Sequence, residues 1–437
     1  VGPLRPVRAP NVAERALPNG LRVLAARRPG IPRVEMRLQV PTTRDGQVVP
    51  AARQQLAAKT LLSGTEARTS RDIAEHLQRL GGNLDAYASV EEVVFSGSAL
   101  APDLAALLGL CAEVVTNACF PSAEVALESE RLVQELTVDR SQPSTIAREA
   151  FLQRLYGRHP YGQRPPDPDA VRAVSRRQLL RLHHERVRPT GGLLVLVGDL
   201  KPQRALDLAE ASLEAWAPGS PSSELDAPAP MRPGPTVIVD RPGAVQTNVR
   251  IGGPAVPRGH PDHPALALAN LVFGGYFISR LVENIRERKG YTYSPNSRVD
   301  QLRSASHFVV SADVGTDVTA AALVEIRYEL GRMVTTLAEP AELLAAKRYL
   351  WGSLSMGIQT QSGLAGTLAM LARSGLDVRW LRDYPRQVHA LDAAQVREAA
   401  ARYLAPRGLA TVLVGDVSVI GSAIEAFEPV DVRTAGG

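Results

Sequence analysis

The sequence predicts an α+β fold made of two homologous domains, each a mixed β-sheet packed with α-helices. Three observations carry this. The chain repeats itself: Arg186–Leu200 has a counterpart in Tyr403–Val417, and an offset of 217 lays Pro189 on Pro406 and Val197-Gly198-Asp199 on Val414-Gly415-Asp416. The same offset lays Ser175-x-x-Gln178 on Asp392-x-x-Gln395, both capping-box starts of a helix. Each half therefore ends alike, with a capped helix, a Pro-containing turn and an apolar strand, and a match of all three in register is the mark of duplication. Secondly, Ala217–Pro235 is rich in Pro, Ser and Ala without apolar periodicity, and reads as an extended linker. Thirdly, strand and helix patterns come in clusters rather than in a steady βαβ alternation. The expected division is 1–217, a linker over 218–235, and 236–437.

Asn19-Gly20 signals a turn, followed by strands at Leu21–Ala25 and Arg33–Val40; in the second, Val34, Met36, Leu38 and Val40 share one face. Ser70 is expected to cap a helix carrying Ile73, Leu77 and Leu80, stopped by Gly81-Gly82. Strands follow at Tyr87–Val90 and Val93–Ser98, then helices over Leu104–Ala118 and Val125–Asp139, the latter ending near Pro143. In the second half, strands are expected at Thr236–Val239, Gln246–Ile251 and Ala305–Val314. A long apolar helix starts at Pro264, and another covers Ala320–Thr336.

Composition limits the function classes. Over 437 residues the apolar content is 45% and the net charge is +5, with basic residues dispersed, so nucleic-acid binding is not indicated. No apolar run approaches the ~20 residues of a membrane span. Cys111 and Cys119 fall in one helix-like segment, roughly 12 Å apart at ~1.5 Å per residue, too far to bridge, and read as small buried side chains. The chain opens on Val1 and the Pro-rich Gly2–Pro6. A removed signal peptide accounts for that, as does trimming, so a periplasmic or exported location is the expectation and the cytoplasm the alternative.

The segment that bears most on function is Gln55-Leu56-Ala57-Ala58-Lys59. It runs into Thr60-Leu-Leu-Ser-Gly64-Thr65, with Glu135 following 76 residues after Lys59. This surround resembles the M16 (inverzincin, pitrilysin-like) metallopeptidases, where an H-x-x-E-H helix leads into a hydrophobic stretch ending in Gly-Thr and a distant glutamate is the third zinc ligand. On that pattern Gln55 and Lys59 stand at the two histidines, Ala58 at the catalytic glutamate, and only the third ligand survives, as Glu135. Elementary coordination chemistry agrees: catalytic zinc keeps three protein donors and a water, whereas Gln55 is a poor ligand, Ala58 none, and Lys59 a cation at a cation's place. Lys59 and Glu135 are expected to pair where zinc would lie. The remaining histidines offer no substitute. His260-x-x-His263 reads as a helix lead-in, and His183-His184 as surface residues on different sides of a helix.

The resemblance extends along the chain. Leu80–Ser89 is similar to the family's "GG..NA.TS" strand entry, His159–Gly162 to its "HPYG", and Phe273–Leu281 to its "LGGG.SSRL" segment. Ile285-Arg-Glu-Arg-Lys-Gly-Tyr-Thr-Tyr-Ser294 resembles its "LREK.G.AYS" element, whose arginine and tyrosine fall on Arg286 and Tyr293. The resemblance implies a half-clamshell of two related domains that closes with a second chain around a chamber for unfolded peptides. It also implies that this chain holds no zinc and acts as the zinc-less subunit of a heterodimeric peptidase, not as a peptidase alone. Arg286 and Tyr293 would complete the site of a homologous partner that carries H-x-x-E-H and the zinc. A phenol aimed at a carbonyl oxygen gaining charge stabilises the transition state above the ground state, and a guanidinium grips a carbonyl or carboxylate with a fork of donors. Read without the family, Arg286 is one residue of a basic helix end stopped by Gly290, and Tyr293 a half-buried strand residue. Tyr291 is the rival phenol, on the opposite side of the strand. The alternatives are a non-catalytic scaffold subunit of a larger complex and a peptide-binding module.

Overall fold

The computed structural model describes residues 10–232 and 234–434; the Pro-rich opening at Gly2–Pro6 lies outside them. Among the described residues, twelve strands form two six-stranded sheets. The first half contributes β1 (Val12–Ala16), β2 (Arg22–Arg27), β3 (Arg33–Pro41), β4 (Asn83–Ala88), β5 (Glu92–Leu100) and β6 (Leu193–Gly198), in the order β1-β2-β6-β3-β5-β4. The second contributes β7 (Thr236–Asp240), β8 (Gln246–Pro254), β9 (Asn296–Gln301), β10 (Ser306–Gly315), β11 (Ala410–Gly415) and β12 (Val430–Thr434), in the order β12-β7-β11-β8-β10-β9.

Five strands of each sheet share one topology. β2 pairs parallel with β6 as β7 does with β11, and the antiparallel run β6-β3-β5-β4 matches β11-β8-β10-β9. Both repeat-ending helices, Arg176–Arg186 and Ala393–Tyr403, carry the expected capping boxes at Ser175/Gln178 and Asp392/Gln395. The sixth strand differs. In the first sheet it is β1, antiparallel to β2 across the Asn19-Gly20 turn; in the second it is the late strand β12, parallel to β7. Both sheets are mixed and both carry helices, so the α+β class and its duplication stand.

The main cores follow from alternation along the strands. In the first half Val34, Met36, Leu38 and Val40 of β3 are all fully buried against the helix Leu104–Asn117 and its neighbours. In the second, Ile238, Val249, Ile251, Phe308 and Leu413 meet the helix Thr319–Thr335. The opposite face of each sheet is covered by a helix from the other half. Phe151 and Leu155 of Pro143–Tyr156, a first-half helix, pack on Val237, Val239, Val309, Val412 and Val414. In return Leu364, Ala365, Leu368 and Ala369 of Gln361–Arg373 pack on Leu24, Ala26, Leu193, Val195 and Val197 of the first sheet. Gly252 permits one of these docks, since a Cβ there would lie 2.8 Å from Phe151 Cζ. The segment between the repeats carries no helix or strand among its described residues, yet Leu225 is buried with Phe151, and Ser223 bonds to the Thr43 carbonyl and the Gly46 amide.

Several local expectations are corrected. Thr69, not Ser70, is the helix cap, because its hydroxyl accepts from the Asp72 amide while Asp72 reaches back. β4 starts at Asn83, so Ser89 and Val90 fall in the turn. Cys119 lies beyond its helix, which ends at Asn117. Tyr291 and Tyr293 sit in the loop before β9, not in a strand. His183 is buried, with Nε2 3.3 Å from the Val114 carbonyl oxygen, and burial pushes its pKa down to about 4; only His184 is a surface residue. The stretch His263–Arg288 is long and apolar enough by length and composition to span a membrane, which the run-length criterion missed, but 72% of its most apolar window is buried. It is broken, too, with π-helical turns at Leu271–Gly275 and Glu283–Arg288, and serves as core.

Candidate functional site

The first site builds on the helix Ala51–Thr60. Leu56, Ala57 and Ala58 are buried and anchor it, which turns Gln55 and Lys59, one helical turn apart, toward partial exposure. The facing helix Ser122–Ser141 presents Glu135, and Lys59 Nζ lies 3.0 Å from Oε1 and 2.8 Å from Oε2. The expected pair thus forms, with the ammonium between both carboxylate oxygens. Gln55 opens onto a neighbouring cleft together with Arg148 and Glu149. This donor set does not fit zinc. The one carboxylate is engaged by a cation, Ala58 has no donor, and among the described residues no three His, Cys, Asp or Glu side chains gather as a metal site.

The Gly-Thr that ends this motif is kept for local geometry. Gly64 has φ +155° and a Cβ would meet Pro121 at 3.0 Å, while the Thr65 hydroxyl donates to Glu113 and accepts from the Arg68 amide. Other motif residues are likewise consumed by the fold. A Cβ on Gly82 would strike the Ser98 carbonyl, His159 receives the Tyr161 amide, and the Tyr161 hydroxyl donates to Glu91. Arg280 is buried in a two-pronged bond to Glu342, at 2.8 and 2.7 Å.

Arg286 and Tyr293 are different. Arg286 lies in the π-helical turn Glu283–Arg288, which Asn284 ties to the helix Thr319–Thr335 as its amide donates to Glu325 and Glu329. Gly290, at φ +67°, ends the turn and sends the chain back past it. Tyr293 then stands 79% exposed, with the Arg286 guanidinium carbon 4.8 Å from its ring centroid and 4.5 Å from that of Phe277. The cation is thus sandwiched between two rings, its only ion pair among the described residues being to adjacent Glu287 at 3.3 Å. Tyr293 makes no hydrogen bond among the described residues, whereas Tyr291 packs half-buried on the core. Phe277 went unread in the sequence. The signal available was its place beside Tyr276 and Ile278, three bulky residues in the Phe273–Leu281 segment where the related motif is mostly small.

Known proteins share this fold. The family model "Insulinase (Peptidase family M16)" matches residues 56–169 and "Peptidase M16 inactive domain" matches 173–350. An uncharacterized zinc protease of Mycobacterium leprae is 26% identical over 405 residues, covering 90% of this chain and 89% of that protein. Another from Mycobacterium tuberculosis is 26% identical over 420 residues, covering 91% and 92%. Among solved structures, a peptidase M16 inactive domain from Pseudomonas fluorescens superposes with a TM-score of 0.85 at 24% identity, over 93% of this chain and 98% of that one. A protease from Helicobacter pylori gives 0.83 at 20%, over 93% and 100%. The fold and these matches define an M16-type scaffold whose second half matches the inactive domain. The chain belongs to the M16 peptidase family.

Proposed function

We propose that this chain is the zinc-less subunit of a heterodimeric M16 peptidase. It forms half of a peptide chamber and presents Arg286 and Tyr293 to the site of a homologous partner that carries H-x-x-E-H and supplies the zinc. One contrast carries this reading. The fold holds Thr65, His159, Arg280 and the Lys59–Glu135 ion pair in bonds of its own, while Tyr293 remains exposed and unbonded beside Arg286. A scaffold has no use for such a pair. In the assembled enzyme the Tyr293 hydroxyl would donate to an oxygen gaining negative charge, and Arg286, preoriented by its two rings, would grip the peptide. Unfolded peptides are the substrate class, and export to the periplasm is the proposed location.

Native mass spectrometry of the protein purified from its own source tests the assembly. The expected species pairs this chain with a second of similar mass and holds about one zinc, the complement of a single catalytic site. A zinc-free monomer or homodimer overturns the reading.

A further inference from the structure

A cleft of 550 Å³ opens between the halves, walled by the helix Pro143–Tyr156 on one side and by β8, β9 and β10 on the other. Three arginines line it, one from each of three elements: Arg148 from the helix, Arg250 from β8 and Arg298 from β9. Their counter-charges are few and already engaged. Asp300, the one carboxylate in the lining, takes Arg298 Nε at 2.9 Å and His307 Nε2 at 3.2 Å. Asp313 reaches Arg250 only at 3.5 Å, and the same oxygen accepts from Asn248 at 2.5 Å. Arg148 makes no hydrogen bond or ion pair among the described residues. Its neighbour Glu149 lines the adjoining cleft instead, where burial raises its pKa. The Arg250 side chain is only 11% exposed. Burial lowers its pKa, and Arg298 and Arg148 push the same way against Asp313, so both lie within electrostatic reach of Arg250.

A largely buried arginine with no carboxylate among the described residues closer than 3.5 Å, flanked by two exposed arginines, is costly, and an incoming anion relieves it. The rest of the wall says what carries that anion. Val90, Phe151, Leu152, Leu302 and Val309 give it an apolar backing. The cleft also shares Val90, Arg148, Leu152 and Tyr161 with an adjoining one of 280 Å³ that reaches Gln55. A bare ion needs neither the apolar wall nor the length.

We infer that this inter-half cleft binds a carboxylate of an extended peptide, either an Asp or Glu side chain or the free C-terminus, and so makes the chain selective for acidic peptide segments. The inference deepens the chamber half of the proposed function and needs no partner.

The test titrates the purified full chain, by fluorescence anisotropy at low salt, with a labelled unstructured peptide of about twelve residues. One version carries two Glu and another Gln in their place, and each is made with a free and an amidated C-terminus. The acidic form should bind about tenfold tighter, as one well-placed charge pair allows, and the gap should shrink as salt rises. Loss on Glu-to-Gln exchange identifies side chains as the source; loss on amidation identifies the C-terminus. Arg148→Ala should remove most of the preference without changing Tm, because that side chain is exposed and unpartnered. Equal binding of all four peptides, or an undiminished preference in Arg148→Ala, overturns the inference. A zinc-bearing heterodimer without acidic preference defeats this inference alone. A zinc-free monomer that retains the preference defeats only the assembly.

Discussion

The two halves share a five-strand topology and the same capped helix before the last shared strand, yet they treat their functional positions in opposite ways. In the first half the site has been closed. Lys59 occupies the place of a cation and is held by Glu135 at 2.8 Å. In the second half the site is open, with Tyr293 projecting into solvent and Arg286 braced by ring faces instead of by a committed carboxylate. Duplicated scaffolds tolerate this because each sheet is stabilised by its own core and by a helix borrowed from the other half, not by its site residues.

The borrowed helices supply the largest expected effect. Phe151→Ala changes a first-half residue that is 2% exposed and lies on the second-half sheet, so it should cost about 3–5 kcal/mol of stability, and Leu368→Ala, its reciprocal, about 2–5 kcal/mol. Chemical denaturation should show one transition that both variants move together. Two separate transitions, each moved by one variant, would mean the halves are independent.

Next in size is the open site. Tyr293→Phe, assembled in the proposed heterodimer, should lower turnover by about two orders of magnitude, the typical loss for one oxyanion donor. Its melting temperature should hold, since the hydroxyl is exposed and unbonded. Unchanged turnover would remove Tyr293 from the site and leave the two halves equally silent.

Acid should reach the first half through buried His183 and the second through buried His263. Burial pushes His183 down to about 4 and His263 to about 3, both below the usual 6.5. A lowered histidine pKa means the unfolded chain binds the proton first. Stability is therefore full above pH 6.5 and falls as pH drops from 6.5 toward those values. His183→Leu should flatten that decline. A denaturation series showing the same slope in wild type and variant would reassign the acid sensitivity to other groups.

The smallest effect is expected at the closed site. Lys59→Met removes an ion pair whose partners are 32% and 56% exposed, and should shift stability by about 1 kcal/mol or less. A loss of several kcal/mol by denaturant titration would show that the pair does structural work that its exposure does not suggest.

Sequence pattern was strong where the physics is local. Alternation along β3, the Gln178 and Gln395 capping boxes and the Asn19-Gly20 turn depend on neighbours a few residues apart, and they were legible. So were Gln55, Ala58 and Lys59 as misfits to zinc, because ligand chemistry is a property of the side chain itself. The repeat at an offset of 217 announced the duplicated topology, since like strands fold alike. Hidden from the chain alone were the helices Pro143–Tyr156 and Gln361–Arg373 crossing to the opposite sheets, the burial of His183, the cation sandwich of Arg286 by Phe277 and Tyr293, and the three arginines gathered in one cleft. The crossing helices, the buried His183 and the arginine cleft depend on segments far apart in sequence meeting across a packed interface, and the sandwich on a π-helical turn and the reversal at Gly290 that fold three nearby residues together. Periodicity tells a helix which face is apolar, but only the packed whole decides which sheet that face will cover.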